Sequence, residues 1–202
     1  MENGINYDNV LKERMGGEKI EYGILFGNEK IVFIKVGAGG NIRGYQDKYL
    51  RMAHRIHDKI GATVICAPNP EDIEYNEQVF ADKSKIVDVA KELSLSDYKV
   101  YMFGTSDGAY YNFLLAKEVT ETVKILCVNM STVDFNDAKE KLCDLSGINK
   151  ILVYGDRDDE YDYVPRLESL ELGNLEIIAV RGADHEFRGM VNEFINTIDL
   201  IY

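Results

Sequence analysis

The sequence predicts an α/β fold in which a mostly parallel sheet is covered on both faces by helices. Three observations carry that expectation. From residue 18 onward, short β-branched runs alternate with longer segments of helical period. No internal repeat, low-complexity tract or linker interrupts the alternation. Hydrophobic residues at 46% and charged residues at 29% match a soluble globular chain, which excludes both disorder and a membrane-embedded protein as the starting expectation. With 202 residues, one core with one or two layers of helices suffices, so a single domain over 1–202 is expected.

Candidate strands lie at 19–26, 30–36, 62–67, 99–103, 124–129, 150–154 and 175–181. The first two are separated by Gly27-Asn28-Glu29-Lys30, which reads as a hairpin turn and so places an antiparallel edge strand at the N-terminal side. The remaining strands are expected to run parallel. Residues 45–60 place Tyr49, Met52, Ala53, Ile56 and Ile60 at spacings of three and four, with Gly61 where a helix C-cap would stand. Similar periods cover 77–93, 107–118 and 185–199, and weaker ones 137–145 and 161–170. Pro68, Pro70 and Pro165 all fall in connections, and Ala67-Pro68-Asn69-Pro70 marks a turn.

The formal net charge of -12 repels phosphate backbones and anionic lipid headgroups, so neither nucleic acid nor a membrane surface is an expected partner. It favours neutral or cationic substrates if it acts on substrates at all. No apolar run reaches the roughly 18 residues a membrane helix needs, and the N-terminal stretch lacks a secretory signal's apolar core, which points to the cytoplasm. Cys66, Cys127 and Cys143 are odd in number and lack metal spacing, so reduced thiols are expected. His54 and His57 stand three apart on a helix, but without a third ligand they read as surface histidines, and no metal is expected.

Chemistry is concentrated at three strand ends. Gly104-Thr105-Ser106-Asp107-Gly108 matches G-x-S-x-G between a strand (Lys99 to Phe103) and a helix (Ala109 to Lys117), the context of a nucleophile elbow. Glycines two before and two after the serine remove side chains that would collide in so sharp a turn. The strand Lys150–Tyr154 runs into Gly155-Asp156-Arg157-Asp158, and Leu175–Val180 runs into Gly182-Ala183-Asp184-His185. Serine, acid and histidine thus each follow a strand, in the order Ser, Asp, His. Locally, Ser106 could instead cap its helix, and Asp156 and Asp159 are rivals of Asp158.

With these three motifs, the chain from about residue 19 resembles the α/β-hydrolases. The resemblance implies Ser106 as nucleophile, Asp158 as acid, with Val164-Pro165 a familiar step beyond it, and His185 in a G-x-x-H stretch as base. It also implies an oxyanion loop at Val36-Gly37-Ala38-Gly39-Gly40, where Val36 replaces the usual histidine and removes a bracing hydrogen bond. The implied donors are the N–H of Ala38, then that of Gly39, paired with the N–H of Asp107. Asp107 puts a carboxylate where neutral side chains are usual. Arg43 or Arg188 is the expected cation for it, and Arg43 is also a candidate substrate contact.

The connection 130–149 has room for one weak helix and no cap domain, so an open, lidless site for a small acyl substrate is expected. A small ester or thioester hydrolase needing no cofactor follows. A non-catalytic binding or regulatory protein on the same fold, or an acyltransferase or peptidase with the same triad, remain as alternatives.

Overall fold

The computed structural model describes residues 5–131 and 135–202, and in it eight strands build one sheet. They are β1 (Asn9–Met15), β2 (Glu18–Leu25), β3 (Asn28–Lys35), β4 (Ala62–Ala67), β5 (Lys99–Thr105), β6 (Thr122–Val128), β7 (Asn149–Gly155) and β8 (Leu175–Val180). The order across the sheet is β1-β2-β4-β3-β5-β6-β7-β8. Strands β3 to β8 are mutually parallel, whereas β2 pairs antiparallel with both β1 and β4. The expected mostly parallel sheet with an antiparallel element at the N-terminal side is therefore what the chain forms.

The hairpin expected at 27–30 is not there. β4 is inserted between β2 and β3, so the two strands run antiparallel without touching. Residues 27 and 28 cross the starting end of β4 against the helix that precedes it: the Asn28 N–H donates to Gly61 O at 2.7 Å and its Nδ2 to Ile60 O at 2.8 Å. A Cβ on Gly27 would lie 2.3 Å from Gly61 O, so only glycine fits the crossing. The true hairpin is β1–β2, turned by Gly16 and Gly17 at φ 56° and 89°. Lys12, Glu13 and Arg14 break the apolar pattern of β1, so the sequence does not mark it as a strand, as suits an edge strand that must not recruit another chain.

Helices cover both faces. α1 (Lys48–Ile60) and α6 (Val191–Asn196) pack on one, around Leu50, Met52, Ile56, Val64, Phe103 and Phe194. α2 (Tyr75–Glu92), α3 (Asp107–Glu118), α4 (Phe135–Asp144) and α5 (Val164–Glu168) pack on the other, around Phe33, Ile65, Ile86, Met102, Tyr111 and Leu152. Along β3, Val32 and Ile34 face the first core and Ile31 and Phe33 the second, so every residue of its apolar run is buried. α1 ends as expected at Gly61, φ 67°, whose N–H returns to His57 O.

Two helical expectations need correction. The segment 185–199 becomes helical only at Val191, because Phe187 (φ 53°) and Gly189 (φ 75°) hold 181–190 as a loop, and the Asp184 side chain accepts the Arg188 N–H. The segment 161–170 divides into a 3-10 turn at Asp159–Tyr163 and the short α5, with Pro165 in its first turn. In the connection 130–149, α4 follows residues 132–134, which lie outside the described residues. Cys66 and Cys127 are buried and Cys143 is exposed, all as free thiols. Among the described residues, no helix is long and apolar enough to cross a membrane.

Candidate active site

β5 ends at Thr105 and α3 begins at Asp107, leaving Ser106 alone in the turn at φ 52°, ψ −127°. That conformation is rare for a side-chain-bearing residue and costs of order 1–3 kcal/mol, which the surroundings must impose. The packing explains both glycines. A Cβ on Gly104 would lie 2.5 Å from Ala109 Cα, and one on Gly108 would lie 2.1 Å from Val36 O. Helix and strand can meet this closely only without those atoms. The Ser106 N–H donates to Val128 O at 2.9 Å, tying the turn to the end of β6.

His185 and Asp158 converge on this serine. His185 Nε2 lies 2.9 Å from Ser106 Oγ, and Nδ1 lies 2.9 Å from Asp158 Oδ2. A carboxylate only accepts, so the tautomer with its proton on Nδ1 serves both contacts and leaves the Nε2 lone pair facing the hydroxyl. Asp158 is buried, and its other oxygen accepts the Glu160 N–H at 3.1 Å. Asp156 is engaged elsewhere, where it accepts the Gly182 N–H at 2.6 Å and so joins the ends of β7 and β8. Asp159 opens the 3-10 turn.

The glycine loop 36–40 runs beside the elbow, with Gly37 Cα so placed that a Cβ there would lie 3.5 Å from Ser106 Cβ. The Ala38 and Asp107 N–H groups have no partner among the described residues. The Gly39 N–H is already committed to Asn69 O at 2.7 Å, which removes Gly39 as an oxyanion donor. The brace missing at Val36 comes from elsewhere. Asn69 takes the Gly39 N–H and gives its own N–H to Gly40 O, while the Gly40 N–H returns to Gly37 O.

The Asp107 carboxylate is not held by an arginine. Asn69 Nδ2 donates to Oδ2 at 3.0 Å, and the Tyr75 hydroxyl donates to Oδ1. The side chain points toward the loop before α2, where Arg43 and Arg188 do not reach. Arg43 is exposed and bonded to Asp47 and Asn6, and Arg188 lies on the solvent side of Asp184. Burial, then the Asp107 contact, push the Tyr75 phenol above its ordinary value. Behind this pair, fully buried Lys35 bonds Asp82 at 2.8 Å and Gln78 at 2.9 Å, and Gln78 Nε2 clamps the carbonyls of Pro70 and Ile73. Burial draws the Lys35 ammonium below its ordinary value, opposed by Asp82 and, more weakly, Asp107.

A cleft of about 680 Å³ opens at Ser106, between Ala38, Asn69, Tyr75 and Ser131. Its charged lining is acidic throughout: Glu71, Asp72, Glu74 and Asp107, with no lysine or arginine among the described residues that form it. Ser106 is partly exposed there.

No protein-family model matches the sequence, and no curated protein does. Solved structures do match. An alpha-beta serine hydrolase homologue from Coxiella burnetii is 14% identical with a TM-score of 0.70, over 99% of this chain and 100% of that one. A serine hydrolase without a lid from Xanthomonas campestris is 14% identical with a TM-score of 0.66, over 96% and 93%. The thioesterase domain of the curacin biosynthetic pathway is 12% identical with a TM-score of 0.60, over 94% and 98%. The chain has the α/β-hydrolase fold.

Within this α/β-hydrolase fold, sequence reading missed the residues that support the site. Asn69 carried a signal: between two prolines, it is the only residue of 68–70 with an N–H to give. Asn129 is the polar residue that closes the apolar run of β6, yet its side chain is fully buried. Lys35 and Asp82 carried none, since each sits within an otherwise ordinary strand or helix pattern. His54 and His57 bond the backbone carbonyls of Asn6 and Ala62, and no group of three metal-ligating side chains occurs among the described residues.

Proposed function

We propose that the chain is a serine hydrolase that cleaves a small acyl ester or thioester through an acyl-enzyme on Ser106. One observation carries this reading: the unbroken relay from Asp158 through His185 to Ser106, two contacts of 2.9 Å, at a strained turn flanked by two amides that have no partner among the described residues. His185 Nε2 takes the Ser106 proton as Oγ bonds to the substrate carbonyl carbon, and the carbonyl electron pair moves onto oxygen. The Ala38 and Asp107 N–H groups receive that oxyanion. Its collapse breaks the bond to the leaving alkoxide or thiolate, which takes the proton from His185. Water then gives a proton to His185 as it attacks the acyl carbonyl, and the second collapse returns that proton to Ser106 and frees the acid. Asp158 holds the imidazole throughout in the orientation and tautomer that both transfers need.

The fold neighbours described as serine hydrolases and as a thioesterase support the reaction class. The short connection to β7, with one ten-residue helix among its described residues, supports an open site for small acyl groups. Four carboxylates around the cleft disfavour anionic substrates.

The test is labelling with a fluorophosphonate probe beside turnover of a panel of short aryl esters and thioesters. Labelling is expected at Ser106, with S106A losing it and about four to six orders of magnitude in kcat. Wild-type turnover by S106A would overturn the proposal. Alcohol and amine acceptors added to the assay distinguish transfer from hydrolysis.

A further inference from the structure

We infer that Asn129 is a positioning residue that sets the geometry of His185 and Asp158 by joining their two loops through one buried amide. The inference rests on the hydrolase reading for its catalytic consequence and on the hydrogen bonds alone for its structural one. Asn129 follows β6 directly, is fully buried, and adopts φ 47°, a left-handed conformation that asparagine tolerates better than other side chains with a Cβ. Its Nδ2 donates to His185 O at 2.9 Å and to Asp184 O at 3.2 Å. Its Oδ1 accepts the Gly155 N–H at 2.9 Å.

Each bond reaches a triad member by a short path. His185 is held by its own carbonyl. Gly155 closes β7, and its carbonyl accepts the Asp158 N–H at 3.1 Å, so the acid's loop hangs from the residue that Asn129 fixes. The Asn129 backbone N–H bonds Val153 O at 2.8 Å, and the adjacent Val128 O holds the Ser106 N–H. The segment 128–129 therefore touches the support of all three residues without itself lining the cleft.

The amide is matched to this place by its chemistry. It carries two donors and one acceptor oxygen on a planar group, and here both donors face carbonyls while the oxygen faces an N–H. Aspartate has the same shape but would set an oxygen against two carbonyl oxygens. It would keep the bond to Gly155 and break those to the histidine loop. Asp156 to Gly182 N–H is a second tie between the same loops, so removing Asn129 shifts the relay and leaves the sheet joined.

N129D and N129G are the variants; glycine suits the positive φ and so deletes the side chain at least cost to the backbone. Three measurements are made on each: melting temperature, steady-state kinetics on a neutral aryl ester, and the downfield proton NMR signal of the His185 Nδ1–H bonded to Asp158. In both, kcat is expected to fall about 10- to 100-fold with KM within about twofold, since misplacement of the reacting groups by about 1 Å costs that much. The downfield signal is expected to broaden or vanish while the protein still melts cooperatively. Wild-type kcat and an unchanged proton signal in folded N129D would overturn the inference, as would loss of global structure in both variants, which would assign Asn129 to the fold. A wild-type protein that hydrolyses no ester would sink the hydrolase reading alone, because the proton signal still reports whether Asn129 positions the pair.

Discussion

Replacing Asp107 by asparagine isolates the charge that opposes the proposed chemistry. In the proposed mechanism the Asp107 N–H is the oxyanion donor next to Ser106, so its carboxylate sits one side chain away from the developing oxyanion. At an effective dielectric of about 20, two unit charges roughly 6 Å apart repel by about 3 kcal/mol. The Asn69 and Tyr75 donors draw charge from the carboxylate, and the buried Lys35 ammonium attracts it. If these offset about half, some 1–1.5 kcal/mol of repulsion reaches the transition state, about a factor of ten in rate. Asparagine suits the site sterically and in its hydrogen bonds. Its oxygen can accept from Asn69 Nδ2, and its NH2 can donate to the Tyr75 hydroxyl, which turns from donor to acceptor.

We therefore expect D107N to raise kcat on a neutral short-chain aryl ester about 5- to 20-fold, with KM within about twofold. Wild-type kcat should rise with added salt, which screens the carboxylate, and that of the variant should stay flat. Stopped-flow measurement of the acylation burst separates this effect from deacylation. A tenfold fall in kcat at an unchanged melting temperature would refute the reasoning and show that the carboxylate assists the reaction or binds substrate.

N69A should lower wild-type kcat a few-fold by releasing the Asp107 charge, and should have less effect in a D107N background, a coupling that a double-mutant cycle reads directly. G108A should cost about 3 kcal/mol or more, a drop of about 6–12 °C in melting temperature, because its Cβ would sit 2.1 Å from Val36 O. Among matched esters, an anionic acyl or alcohol group should reduce kcat/KM at least about tenfold relative to its neutral isostere, and a cationic group should not. Asp199 is held below its ordinary value of 3.8, chiefly by its bond to Arg55 and then by Lys59. A carboxylate so depressed stabilises the fold above that value, and the contribution is lost as pH falls through the folded value. D199N should thus melt about 1–4 °C lower at pH 7, with the gap closing in scans below about pH 3.8.

The fold class was legible because the parallel strands carry their burial in their residue types: the β3 and β4 runs are apolar on both faces, as only an internal strand can be. Pairing was not legible, since nothing in residues 18–36 says that a strand 26 residues further on enters between β2 and β3. β1 hid behind its charges. The three residues that meet at the elbow could be named because each ends a strand, and a parallel sheet brings such ends to one edge. The partners of Asp107 could not, because a carboxylate beside a nucleophile suggests a cation, whereas a partly buried one is held as well by two neutral donors, and these come from the turn at 67–70 and the start of α2.

The glycine loop shows why a broken motif need not mean a broken site. A histidine at position 36 would brace the loop from within, and Val36 cannot. Val36 is instead buried under the loop, where a Cβ on Gly40 would lie 2.8 Å from its Cγ2, so the loop folds tightly over an apolar side chain. Asn69, between two residues that have no N–H to offer, supplies the missing bonds from the neighbouring strand end. In taking the Gly39 N–H it also leaves the neighbouring Ala38 N–H as a loop amide without a partner among the described residues. The same residue then holds the Asp107 carboxylate, so the bracing of the loop and the restraint of the opposing charge are one structural feature. A substitution at 36 would restore the histidine to the motif but would have to displace this arrangement first. V36H is expected to destabilise the fold without raising kcat, as melting and steady-state kinetics on the neutral ester would show, whereas a gain in kcat would mean that Asn69 braces the loop incompletely.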